Sequence, residues 1–232
     1  MAWAEHVYPD GAALAASLAR LLEAAVYDAR EAGRIPTLAL AGGRTPLPAY
    51  AALAATATGH LRVLPTDDRC VPRDHPASNA GELQRLFAAA RGVDVLPLTT
   101  DDGEPDASER HARRMLASLP DAFDAVVLGM GADAHTASLF PGARQLDAAL
   151  DPASMADACR VDPDPLPAEA PFPRISLTLP RLLRTRSLHL VVTGKVKREI
   201  LGAAFTDADA RSRPIAAVLH APGACVHIHW SP

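Results

Sequence analysis

The chain has 232 residues, 49% of them hydrophobic and 22% charged, which is enough to fill the core of one generous domain and too apolar for general disorder. A formal net charge of −4 with no long basic run argues against a general nucleic-acid surface, and no uncharged apolar stretch reaches 18 residues, so no membrane span is expected. Alanine supplies 48 residues and aromatics only 4%, so helix is easy to write but its buried face is weakly marked.

In chain order, residues 12–32 read as a helix. Leu14, Leu18, Leu21, Leu22, Ala25 and Val26 recur at helical spacing, and Gly33 stops the run. Thr37 to Ala41 is a short apolar strand feeding Gly42-Gly43, with a helix over about 46–57 behind it. A second strand covers 61–64, polar turns fill 65–78, and Asn79 is placed to cap a helix over 80–90 with Glu82 three positions on. A short strand over 93–98 and an acidic loop over 99–106 precede a helix from about 107 to 118. Residues 124–131 give the clearest buried-strand signal. The proline-rich 141–173 has little periodicity and is expected to loop out from the core. Strands at 175–179 and 188–192, a helix over 195–205, a strand at 215–219 and a terminal strand holding His227 and His229 complete the chain.

Strands alternating with helices imply right-handed crossovers and an α/β fold: an open, mostly parallel, Rossmann-like sheet with helices on both faces. Residues 1–232 are read as one domain, with room for a small lobe. Cys70, Cys159 and Cys225 are too few and too scattered for a disulfide scaffold or a zinc cluster and fit a reducing cytoplasm. The first residues show no basic leader, so no signal peptide is expected.

Ligands of open α/β sheets sit at the carboxyl ends of the strands, and three such ends carry glycine with polar residues. Gly42-Gly43-Arg44-Thr45-Pro46 lets backbone N–H groups approach an anion, with Thr45 suited to cap and Pro46 to start a helix. A plain strand–turn–helix corner explains it equally well. Asp67-Asp68-Arg69 could orient a base or touch hydroxyls, or be an exposed charged turn. His135, two residues after Asp133 at the glycine-rich end of a buried strand, is a poor core filler. A histidine's ordinary pKa of about 6.5 suits a general base. Lys195 and Lys197, the only lysines, stand where a helix N-terminus disfavours cations unless an anion balances them. His227 and His229 have strand spacing for a metal, but no third ligand is evident.

Together these segments resemble the 6-phosphogluconolactonase family, within the glucosamine-6-phosphate isomerase-like superfamily. The resemblance runs in order through Gly42 to Pro46, Thr66 to Pro72 with His75, Ser78 and Asn79, Leu128 to Gly142, Arg174 to Pro180, and Thr193-Gly194 with Lys197. It implies hydrolysis of a phosphorylated sugar lactone, 6-phospho-D-glucono-1,5-lactone. His135 would be the general base, Asp67 a second catalytic residue, and Asp133 and Arg69 substrate-binding residues. The phosphate is expected near Gly42, Gly43, Arg44, Thr45, Arg174 and Lys197. No metal or organic cofactor is required, and a monomer or weak homo-oligomer without nucleic-acid or membrane partners is expected.

Three positions depart from the family pattern: Asp68 replaces a Glu, Ala41 a Ser, and Ala134 a Gly. If residue 134 needs positive φ, the alanine strains the loop that aims His135. A deaminase or isomerase of the same superfamily would carry a Glu where this chain has Phe140. A sugar-phosphate sensor without turnover would keep the phosphate contacts and tolerate a blunted loop.

Overall fold

The computed structural model describes residues 2–168 and 170–232. Strand β1 (Ala2–Val7) leads into α1 (Gly11–Glu31), whose cap Asp10 accepts the Ala13 N–H at 2.7 Å and whose exit turns at Gly33, φ +70°. Next come β2 (Thr37–Leu40), α2 (Leu47–Thr56), β3 (Leu61–Pro65), β4 (Asp67–Arg69), α3 (Asn79–Phe87), β5 (Val93–Val95), α4 (Pro105–Ala117) and β6 (Ala125–Gly129). The remaining elements are α5 (Leu146–Leu150), β7 (Ala158–Val161), β8 (Arg174–Leu177), α6 (Leu179–Leu183), β9 (Leu188–Thr193), α7 (Lys195–Thr206), α8 (Ile215–Leu219) and β10 (Cys225–Ser231).

Seven strands form one parallel sheet in the order β1-β10-β9-β6-β2-β3-β5, as the alternation of strands and helices requires. Alternate residues feed two cores. Leu38, Leu40, Ala125 and Val127 pack against α1, α2 and α3 through Leu18, Leu22, Tyr50, Leu53 and Leu83. Ala39, Val126, Leu128 and Leu190 pack the other way, against Leu116 of α4, Leu201 of α7 and the apolar residues of α8. Strands β4, β8 and β7 form a separate antiparallel sheet whose Ile175, Leu177, Ala158 and Val161 join that second core.

Six points of the sequence reading need correction. Ile215 to Leu219 is helix α8 and not a strand; an apolar run of five carries no period, and Pro214 with φ −56° is already shaped for a first helical turn. The N-terminal strand β1 had no boundary signal. Strand β4 sits inside the stretch read as turns, and the proline-rich segment contains α5 and β7. Ser78, not Asn79, caps α3, accepting the Gly81 N–H at 3.0 Å. Thr45 makes no cap; Pro46 stands there, and the Thr45 hydroxyl lies 3.4 Å from that of Thr193.

His6, His189, His227 and His229 share one face of β1, β9 and β10 next to α1. His6 pairs with His227 at 3.2 Å and His189 with His229 at 3.1 Å, while Tyr8 links His229 (2.9 Å) to Ser17 of α1 (3.0 Å). Burial, with the other histidines adding, pushes His189 down to about 4 and His229 down to about 3. The unfolded chain binds these protons near the ordinary value of about 6.5, so stability is full above that pH and falls as the pH drops toward 4. Going from pH 7 to pH 5 is expected to cost about 2 kcal/mol per buried histidine, read from urea midpoints. His229→Gln should flatten that slope, and an equally steep slope in the variant would reject the cluster as its source.

Candidate active site

The turn after β6 carries His135, and its hydrogen bonds explain its shape. The Gly131 N–H donates to the His135 carbonyl (2.9 Å), the Ala134 N–H to the Gly131 carbonyl (3.2 Å), and the Thr136 hydroxyl to the Gly129 carbonyl (2.9 Å). Ala134, the departure noted above, does adopt the left-handed conformation at φ +62°. Its methyl is buried in the core, and its carbonyl accepts the Ile215 N–H at 3.0 Å. A left-handed alanine costs about 1–2 kcal/mol, while the buried methyl returns about 0.8 kcal/mol. The two offset each other enough for alanine to stand there.

The Asp133 carboxylate accepts from His135 Nδ1 at 2.5 Å and from its backbone N–H at 3.2 Å. Partial burial raises the Asp133 pKa, but the His135 hydrogen bonds and charge outweigh it, and the net shift is downward. A carboxylate can only accept, so Nδ1 carries the proton, and in the neutral ring Nε2 is left with its lone pair. Phe140 stacks on the imidazole with centroids 4.1 Å apart. Gly131 makes the pairing sterically feasible. A Cβ there would fall inside contact distance of the His135 ring and of the Asp133 carboxylate.

Facing this turn is the small sheet. In the β4–β8 register Arg69 lies directly opposite Arg174, an unfavourable pairing of like charges. Both line a cavity of about 520 Å³ together with His75, His135, Phe140 and Phe172. Arg174 is buried, sits 4.9 Å from the Phe140 ring centre and donates to the Ala170 carbonyl at 3.0 Å. Burial lowers its pKa, with the Arg69 charge adding and the Asp67 charge opposing. Arg69 donates to the Ala77 carbonyl (3.3 Å) and to the Asn79 side-chain oxygen. The Nε atoms of both arginines are buried without a partner among the described residues. Two opposed cations with spare donors form a site for an anion.

Asp67 lies behind this wall and not on it. Its carboxylate accepts the Ser138 hydroxyl and, at 3.3 Å, that of Thr66, so it ties the His135 turn to β4 and does not touch the imidazole. Asp68 is fully buried and accepts the N–H groups of Arg69, Asn79 and Ala80 at 2.6–3.0 Å, which anchors the start of α3. Burial raises its pKa against those bonds.

The Gly42–Thr45 turn joins the same edge, since β2, β6 and β9 are neighbours. Gly42 lies beneath the Asn79 amide, where a Cβ would collide, and Asn79 donates to the Asp67 carbonyl at 2.7 Å. Gly43 has φ +93°. Gly42, Gly43, Arg44, Thr45 and Lys197 do not line the cavity that holds His135; Arg44 is exposed and Lys197 half-buried. The site residues without a role assigned from the sequence are Gly131, Ser138, His75 and Phe172, and Asn79 had been read only as a helix cap. All but Phe172 lie within the glycine-rich and Asp67–Asn79 segments already singled out.

A family model described as glucosamine-6-phosphate isomerases/6-phosphogluconolactonase matches residues 9–230. The chain belongs to this family. A 6-phosphogluconolactonase of Mesorhizobium japonicum is 38% identical, with 98% of this chain and 94% of that protein covered. One from Pseudomonas putida is 36% identical over 98% and 92%. The crystal structure of a 6-phosphogluconolactonase from Shewanella baltica superposes with a TM-score of 0.87 at 28% identity, covering 98% and 97% of the two chains. A monomeric glucosamine-6-phosphate deaminase superposes at 0.79 with 18% identity, which shows that the fold extends to that branch of the family.

Proposed function

We propose that the protein is a 6-phosphogluconolactonase, a carboxylic ester hydrolase of the oxidative pentose phosphate pathway, and that His135 activates the attacking water. The observation that carries this reading is the Asp133–His135 pair, which leaves a basic Nε2 on a ring that lines a cavity with two opposed arginines. Water attacks C1 of 6-phospho-D-glucono-1,5-lactone while Nε2 takes its proton. The C1–O bond to the ring oxygen then breaks, and the imidazolium returns the proton to that oxygen. Water is consumed, 6-phospho-D-gluconate forms, and its new carboxyl releases one proton near neutral pH. Arg69 and Arg174 would hold the phosphate in the cavity and spend remote binding energy on orientation, with the Gly42–Thr45 turn and Lys197 on the same sheet edge outside it adding positive potential.

Phe140 argues against a deaminase. Sugar-ring opening and proton shuttling call for a second proton-transfer group, and the residue stacked on His135 has none. Three free cysteines support a cytoplasmic setting. The deciding experiment follows proton release from lactone generated in situ. Hydrolysis well above the spontaneous rate is expected. Binding of 6-phosphogluconate without acceleration would reject hydrolysis in favour of a sensor.

A further inference from the structure

His75 and His135 line the same cavity, yet their hydrogen bonds set opposite proton positions. His135 Nδ1 faces a carboxylate and must donate. His75 Nδ1 faces the Ala77 backbone N–H at 3.1 Å and must accept. A backbone amide has no alternative role, so the neutral His75 ring carries its proton on Nε2. That nitrogen has no hydrogen-bond partner among the described residues. The ring is held edge-on to Phe172 with centroids 5.3 Å apart, and its backbone is pinned by the bonds from His75 N–H to the Pro72 carbonyl and from Ser78 N–H to the His75 carbonyl, both 2.9 Å.

Ala77 also locates this donor. Its N–H binds His75, while its carbonyl accepts from Arg69 at 3.3 Å. One residue therefore holds the imidazole and the guanidinium side by side on the cavity wall. Arg69 adds an unpartnered Nε, and Arg174 stands across the strand pair with another. We propose that His75 is a substrate-binding residue that donates Nε2–H to a phosphate oxygen of the substrate beside Arg69. A neutral donor suits this place, because a third cation beside two opposed arginines would raise the repulsion when the cavity is empty. Its bond to an anion is charge-assisted and stronger than a neutral one.

This inference rests on the sugar-phosphate reading but not on turnover. The test measures 6-phosphogluconate affinity by calorimetry for wild type, His75→Ala and His75→Gln, with inorganic phosphate as competitor. Loss of a hydrogen bond to a charged group should weaken binding about 10- to 100-fold in His75→Ala. His75→Gln, whose amide can donate, should recover part of the loss, and phosphate should compete less well with His75→Ala in parallel. An unchanged affinity overturns the assignment. So does weaker 6-phosphogluconate binding with phosphate competition intact, since His75 would then act on the sugar. A lack of lactone hydrolysis by wild type would reject the hydrolase reading and leave this binding result standing.

Discussion

His135→Asn is expected to lower kcat for lactone hydrolysis by about 10²- to 10⁴-fold, the usual worth of a positioned general base. The reason for so large a loss is that the cavity holds no substitute among its described residues. Arg69 and Arg174 have no lone pair to offer at any working pH. His75 has Nδ1 occupied by an amide donor and its proton on Nε2. Asp67 is buried behind the wall with its carboxylate on Ser138. Affinity for 6-phosphogluconate should stay within about threefold, because both arginines keep their places. The lactone opens spontaneously, so the variant also sets the baseline for the wild-type rate. Turnover equal to wild type would exclude His135 as the base, and an equal loss of product affinity would point to a binding role instead.

The same comparison shows what sequence could convey. The order of strands and helices was legible wherever an apolar run met a glycine or a cap, as at Leu38–Gly42 and Val126–Gly131. It failed for Ile215–Leu219, read as a strand, because a run of five apolar residues, four of them buried, is too short to show the helical period. The His135 turn was legible as chemistry because a histidine at a glycine-rich strand end is a poor core filler, and Arg69 and Arg174 were legible through the family resemblance. Their mutual placement was not. Arg69 faces Arg174 through a strand pairing of residues more than 100 positions apart, and the three-residue strand that creates it carries no periodicity. Asp67 shows the opposite limit. Its neighbourhood in sequence suggested contact with substrate, whereas its buried carboxylate instead ties two segments of the site together.

Gly131→Ala should be nearly as damaging to turnover as removal of the base, while leaving the fold intact. The Gly131 backbone is outside the left-handed region, so alanine meets no conformational penalty of its own. What the new methyl meets is the His135 ring at Nδ1 and Cε1 and the Asp133 carboxylate oxygen. One of the two partners must move, and either movement opens the 2.5 Å bond that sets the tautomer and aims Nε2. A misplacement of about 1 Å in a reacting group costs on the order of 10²-fold in rate, so kcat should fall by about that factor. Stability should change by less than about 1 kcal/mol, and 6-phosphogluconate should still bind, since β4 and β8 are untouched. Gly129→Ala is the control. The same strand end and the same chemical change are involved, but a Cβ there meets nothing within 4 Å, so activity should stay near wild type. If Gly131→Ala matched Gly129→Ala in kcat, the turn would be soft enough to carry His135 around the methyl. Close approach at Gly131 would then not be what positions the base.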